Sequence, residues 1–491
     1  MYGDDYEENK TDEKEDADEE ENDLTEKEIE ETAIALWLLD STKTNPTVDD
    51  IRNYTGNPSL VEAREKIFNE LKEHDLYKVF SKIEKPLMSV IKKMEEHGIK
   101  LDVDELKKLS EDYHTKKDAL EKEIFEIAGT EFNVNSPKQL GEILFEKLEV
   151  STSGISKTPS GSYSTRESEL EKLRDKHPII EKIFAYRELQ KLLSTYIDVL
   201  PTLVDEKNRL HTTFLQAGTT TGRLASQNPN LQNIPIKTEQ GRHIRRAFIA
   251  EKGHKLLSLD YSQIELRVAA FLSGDEKLIE VFKNDGDVHR AVAAQVFGVP
   301  EEEVNKEMRG KAKTINFGTL YGMGVNAIRR NLGTTRAEAQ QFLNDYFSTF
   351  SGLRDFFEMT KVSARQKGYT ETLFGRKRYF EDINSSIPYI RASAERMATN
   401  APIQGTQSDI IKLAMVEIDN WINKQGLSKK CYFVLQIHDE LVFEVEESEV
   451  EKCAKKIADI MENIVPLEDT AGIPLRVEAA VGENWMEMEN I

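Results

Sequence analysis

The sequence predicts an α+β protein in which a strand-rich floor is interleaved with two helical lobes, and three observations point there. Residues 104–128 and 177–204 carry apolar side chains at helical spacing among many Lys and Glu, as two long exposed helices forming an arm should. Beyond Pro201 the texture changes to strand-like pieces at 211–214, 247–250 and 255–260, then returns to helix over 276–400. Residues 430–437 and 441–446 are two further strand-like runs around His438-Asp439-Glu440, which reads as a hairpin.

Each segment has its own local reasons. Residues 1–31 hold 17 Asp/Glu against 3 Lys, most of a total charge of -23, so they are expected to form a disordered acidic tail. Residues 33–39 and 65–80 suggest short helices of a small N-terminal module. In the arm, Ser136-Pro137 opens a helix running to about Leu148, with Ser as cap and Pro in the first turn. Residues 151–165, rich in Ser, Thr and Gly, read as its polar loop. Polar turns near 284–287, 332–335 and 382–386 divide the second lobe.

At 491 residues, two to four domains or lobes are expected. No apolar run approaches the ~20 residues of a membrane span, and the N-terminus lacks a signal core or transit peptide, so a non-membrane, cytoplasmic protein is expected. Cys431 and Cys453, the only cysteines, stand outside any zinc-like spacing.

Two carboxylates are expected at strand edges: Asp260, closing Leu256-Leu257-Ser258-Leu259, and Asp439 in the hairpin turn. Brought together on one sheet, they could bridge a metal pair ~3.5–4 Å apart for phosphoryl transfer. Taken alone, each is an ordinary turn aspartate. Arg309, Lys313 and Phe317 are spaced by four, a helical stripe of two cations and an aromatic that can grip a triphosphate and pack on a sugar or base, with Tyr321 four residues on. An exposed basic helix with Phe317 in the core is the plainer reading. Thr221–Leu224, with Arg223, and Asn230–Pro235, with Gln232 and Asn233, are turns that could face phosphates or base edges. The sequence has no GxxxxGK[ST] loop.

Together these segments resemble family A DNA polymerases, the group of bacterial DNA polymerase I. Leu259-Asp260-Tyr261-Ser262-Gln263-Ile264-Glu265-Leu266-Arg267 is similar to the first palm motif of that family. Arg309 to Gly322 resembles its fingers helix, and Gln436-Ile437-His438-Asp439-Glu440-Leu441 its second palm motif. Thr221–Leu224, Asn230–Pro235 and Pro402-Ile403-Gln404-Gly405 match in the same order, and the similarity covers roughly residues 84–491.

The resemblance implies a right-hand polymerase: palm start at 84–105, thumb at 106–206, palm at 207–280, fingers at 281–400 and palm again at 401–491. It implies a DNA-directed DNA polymerase that extends a primer-template with dNTPs, working as a monomer in the bacterial cytoplasm or nucleoid. Asp260, Asp439 and the Tyr261 carbonyl would hold two Mg²⁺, for which Mn²⁺ would substitute. Arg309, Lys313 and His289 would contact the triphosphate, with Lys313 protonating the leaving pyrophosphate. Glu265 and Phe317 would crowd the sugar, Tyr321 would stack near the template and Gln263 would line the nucleotide pocket. Glu265 reads equally as a charge in the first turn of a helix. Arg223, Gln232, Asn233, Gln404 and His438 would touch the DNA, and Glu440 would be accessory.

Three positions depart from the family pattern. Gly310 replaces a basic or amide residue, while Gly324 and Asn326 replace the Ser and aromatic found where the family parts downstream duplex. Residues 32–83 resemble only the last helices of a proofreading exonuclease, and 60–77 has no Tyr-x-x-x-Asp, so an inactive remnant without proofreading is expected. A single-subunit RNA polymerase shares the palm and basic helix, but Glu265 and Phe317 favour deoxynucleotides. A DNA-binding module stripped of chemistry would lack a metal ligand, and both aspartates are present.

Overall fold

The computed structural model describes residues 24–236 and 238–491. At its centre lies a five-stranded antiparallel sheet in the order Met488–Asn490, Val477–Gly482, His254–Tyr261, Glu440–Glu446, Cys431–Ile437. The middle strand buries Leu256, Leu257, Ser258 and Leu259 in succession, the continuous run expected of a strand covered on both faces. Helix Val450–Glu462 packs on it with Cys453, Ile457 and Met461 buried, and the Tyr261 hydroxyl donates to the Met461 carbonyl at 2.8 Å. The predicted hairpin is present, whereas Val477–Gly482 is a strand that the sequence reading passes over.

Helices Val103–Ala128 and Ile179–Leu192 pair to form the arm, the second continuing as a wider π-turn through Ile197. The arm has its own core, including Ile124, Leu140, Leu144, Ile179 and Ile183. Ser136 caps Pro137–Gly141 by accepting from the Gln139 amide. The second lobe contains Glu276–Lys283, Val288–Phe297, Lys306–Leu320, Val325–Leu332, Arg336–Thr349 and Ser351–Lys367, followed by a small hairpin, Tyr369–Glu371 with Lys377–Tyr379.

A 37-residue helix, Pro388–Lys424, joins this lobe to the floor and packs on Lys85–His97, Ile264–Ser273 and Val450–Glu462. The division expected at 400/401 falls inside this helix, whose buried face runs from Ala394 through Ile403 and Ile411 to Ile422.

The expected acidic tail is also shortened. Helix Glu26–Leu39 starts within residues 1–31, because Thr25 and Glu28 form a reciprocal capping box. Glu31 is buried in ion pairs with Arg64 at 3.0 Å and Lys85 at 2.9 Å. Residues 1–23 of that tail lie outside the described residues. Helices Glu26–Leu39, Val48–Thr55 and Leu60–Glu73 enclose a separate core with Trp37, Ile51, Leu60 and Ile67.

Candidate active site

The centre of the site is one end of the sheet. Asp260, next to last in His254–Tyr261, is in register with Glu440 on one side and Glu478 on the other. The Tyr261 amide donates to the Asp439 carbonyl at 3.3 Å, which sets the hairpin turn against the same strand end. His438 turns the chain there with a φ of 55°. Asp260 keeps an accessible carboxylate, but surrounding protein withdraws it from bulk water, and Asp439, Glu440 and Glu478 repel its charge. Its pKa is pushed up to about 8, with Lys313 pulling the other way. Asp439 is pushed up to about 6, chiefly by burial and then by Glu265 and Glu440, against the Arg223 cation. Glu440 accepts from the Ser258 hydroxyl at 2.6 Å and from the Trp485 indole at 3.1 Å.

Among the described residues no group of three or more His, Cys, Asp or Glu side chains is arranged to hold a metal ion. Asp260 and Asp439 offer carboxylate oxygens at an acid-rich strand end, and such donors suit a hard divalent cation completing its shell with ligand oxygens, whose charge would offset the burial and repulsion that raise both pKa values.

The basic helix, Lys306–Leu320, starts at Asn305, whose side chain accepts from the Met308 amide at 2.9 Å. Ala312, Ile315, Asn316 and Leu320 are buried, which leaves Lys313 exposed. Lys313 has no ion-pair or hydrogen-bond partner among the described residues and lies near enough to Asp260 to favour its charge. Arg309 is instead engaged: its Nε donates to Asp287 Oδ2 at 2.5 Å. Asp287 also caps Val288–Phe297, accepting from the His289 and Arg290 amides.

His289 is buried rather than open to a ligand in this conformation. Its Nδ1 accepts from Asn316 Nδ2 at 2.9 Å, which places its proton on Nε2, an atom with no partner among the described residues. Burial lowers its pKa to about 4, so the ring is neutral at neutral pH. Phe317 packs at 5.7 Å from it. Asn316, which holds this tautomer, was not singled out in the sequence.

A second cluster lies beside the acids. Glu265 is buried, and its carboxylate accepts from the Tyr321 hydroxyl at 2.7 and 2.9 Å and from Arg223 Nη2 at 2.5 Å. Arg223 Nη2 also meets Gln407 Oε1, while its Nε is buried with no partner among the described residues. The Glu265 carboxylate is therefore turned to side chains, held by the Tyr321 hydroxyl. Gln263 begins Ile264–Ser273 in the left-handed region, φ 54°, with its Oε1 buried and unpartnered among the described residues.

Gln232 donates to Gln436 at 3.1 Å, and Gln436 donates to the His438 carbonyl at 2.8 Å. Asn233 is exposed, and its carbonyl accepts from Tyr196. Gln404 is half-buried and outside these contacts, and Gln407, one helical turn on, accepts from Arg223. Gly405 leaves room for Thr372, whose Cγ2 a Cβ there would meet at 2.6 Å.

The arrangement thus offers two carboxylates at one sheet end, an ammonium near Asp260 that is unpaired among the described residues, and a buried Glu265 held by Tyr321 and Arg223. A family model described as DNA polymerase family A matches residues 103–487. The chain is 44% identical over 465 residues to the thermostable DNA polymerase I of Thermus aquaticus, covering 92% of this chain and 55% of that protein. It is 44% identical over 446 residues to DNA polymerase I of Bacillus subtilis, covering 90% and 50%. It therefore spans about half the length of these curated relatives. The POL domain of Pol1 from M. smegmatis, solved in complex with DNA primer-template and dNTP, superposes with a TM-score of 0.87 at 36% identity, covering 93% of this chain and 81% of that one. The fold is the α+β right-hand polymerase fold, with an antiparallel palm sheet and helical thumb and fingers. In motif order, in fold and in sequence, the chain belongs to DNA polymerase family A.

Proposed function

We propose that this chain is a template-directed DNA polymerase that extends a primer 3′ end with dNTPs by two-metal phosphoryl transfer, without proofreading. The observation that carries the reading is the placement of Asp260 and Asp439 at one sheet end, opposite an exposed Lys313. Residues 84–105, 207–280 and the C-terminal segment act as palm, 106–206 as thumb and the second helical lobe as fingers. Asp260, Asp439 and the Tyr261 carbonyl would hold two Mg²⁺, which when bound would neutralise charge at the reacting phosphates and lower the pKa of the primer hydroxyl.

The primer 3′-oxygen bonds to the α-phosphorus as the bond to pyrophosphate breaks. Lys313 Nζ stands where it can balance charge and give a proton to the leaving group. Arg309 exchanges Asp287 for a triphosphate oxygen, and His289 presents a neutral N–H donor once the fingers move. Glu265 and Phe317 exclude a 2′-hydroxyl. Arg223, Gln232, Asn233, Gln404 and His438 would touch the primer-template on its minor-groove side, where acceptors are shared by all pairs, with Gln436 bonded to Gln232 and the His438 carbonyl. The primer-template and dNTP bound by the M. smegmatis domain support these partners.

Primer extension with dNTPs or NTPs, on DNA and RNA templates, tests the reading. Extension on DNA restricted to dNTPs is expected, while a preference for NTPs would support an RNA polymerase instead. A 3′-labelled mismatched primer with Mg²⁺ and no dNTP should stay intact; shortening that survives in Asp260→Ala would reveal a nuclease site.

A further inference from the structure

The N-terminal helices contribute no side chain to the site, yet they are tied to the loop that carries Arg223. Trp37 is 1% exposed, and its Nε1 donates to the Thr219 carbonyl at 2.9 Å. The Asn45 amide donates to the Ala217 carbonyl at 3.0 Å, and Ala217 is part of the N-terminal core. On the inner side the Thr219 hydroxyl donates to the Arg223 carbonyl at 2.8 Å, and Ser408 donates to the Gly222 carbonyl at 2.7 Å. Gly222 has a φ of 88° and lies so close to Arg376 that a Cβ would meet its Cδ and Nε at 3.0 Å.

The loop is therefore gripped on both sides, and beyond it the Arg223 guanidinium reaches Glu265. The Trp37 ring has a second task. Arg376 and Lys412 each lie 5.2 Å from its centroid, and their buried charges are matched by Glu84 and Asp409. Ring and N–H are thus separable: the ring supports the buried ion cluster, and the N–H holds the loop.

We infer that Trp37 is a positioning residue, which fixes the 217–223 loop through its indole N–H, aims Arg223 at Glu265 and so makes the N-terminal module a brace for sugar selection. The inference rests on the role proposed for Glu265 above, to which Arg223 is joined by its hydrogen bond. A merely structural Trp37 would serve the core equally well without a donor.

Trp37→Phe keeps an aromatic ring beside Arg376 and Lys412 but deletes the donor. Hydrogen exchange on the free enzyme should quicken roughly fivefold over 217–224, the effect of one lost hydrogen bond, and remain unchanged over 254–261. The rNTP-to-dNTP ratio of kcat/KM should rise, and the same substitution in an Arg223→Ala background should raise it no further. Unchanged exchange over 217–224, acceleration spread evenly over the protein, or full additivity with Arg223→Ala would each overturn the brace. An unchanged ratio in Arg223→Ala alone would instead sink the reading of Arg223, and exchange would then decide the brace by itself.

Discussion

Replacing Glu265 with Ala should convert a sugar-selective enzyme into one that accepts ribonucleotides. In the structure the Glu265 carboxylate already accepts from Tyr321 and Arg223. An incoming 2′-hydroxyl would lose water without gaining a free acceptor, a cost of ~1–3 kcal/mol for an unpaired buried hydroxyl. Crowding an extra oxygen against the buried Glu265 side chain adds ~1–3 kcal/mol of overpacking. The sum, about 2–6 kcal/mol, corresponds to discrimination of roughly 30-fold to 10⁴-fold. Single-nucleotide insertion kinetics with dCTP and CTP opposite template G would measure it. Glu265→Ala should lose most of the discrimination, whereas Tyr321→Phe, which frees one acceptor position, should lose a smaller part. An unchanged CTP-to-dCTP ratio in Glu265→Ala would refute the gate and leave Glu265 as a residue that only anchors Arg223.

Other expectations follow from particular contacts. Lys313→Ala should depress the single-turnover rate, while Arg309→Ala should chiefly raise the KM for dNTP; unchanged single-turnover kinetics in Lys313→Ala would remove it from the site. Glu444 is buried, and although burial alone would raise its pKa, hydrogen bonds from His97 and Arg209 hold it down to about 2 against an ordinary 4.5. Its folded pKa lies below the unfolded one, so it contributes stability above pH ~4.5 that is lost as pH falls towards 2, roughly 3 kcal/mol in all. Denaturant titrations at pH 6 and pH 3 should show this acid-sensitive component in the wild type and its loss in Glu444→Gln; identical pH dependence in the two would contradict the assignment.

The parts of the site legible in the sequence were those written locally. Asp260 ends an apolar strand and Asp439 sits in a hairpin turn, so both could be named. Their adjacency required a register set by strands 180 residues apart. Glu478 was illegible, because 477–482 reads Val-Glu-Ala-Ala-Val-Gly and is partly exposed, with little of the alternation that marks a strand. That Gln407 meets Arg223 depends on which face of a helix buried nearly all round is turned to it. The Arg309–Asp287 pair joins two helices, and no spacing rule within one helix reveals it. At the N-terminus, acidic composition hid the Thr25–Glu28 capping box, since the Glu that completes it looks like one more charge of the tail. Trp37 lies unmarked within the 33–39 helical run, because nothing near it in sequence reveals the Thr219 carbonyl that its N–H meets.

The central claim is that Asp260 and Asp439 together hold the metals of nucleotide transfer, and it is tested most directly by single-turnover extension of a matched primer-template in saturating Mg²⁺ and dNTP. Asp260→Ala and Asp439→Ala should each abolish extension while binding primer-template with nearly wild-type affinity, because each removes a metal ligand and no phosphate contact. Retention of more than about a few per cent of the wild-type rate by either variant would contradict the account, since even ~2–3 kcal/mol of lost transition-state stabilisation leaves at most that fraction.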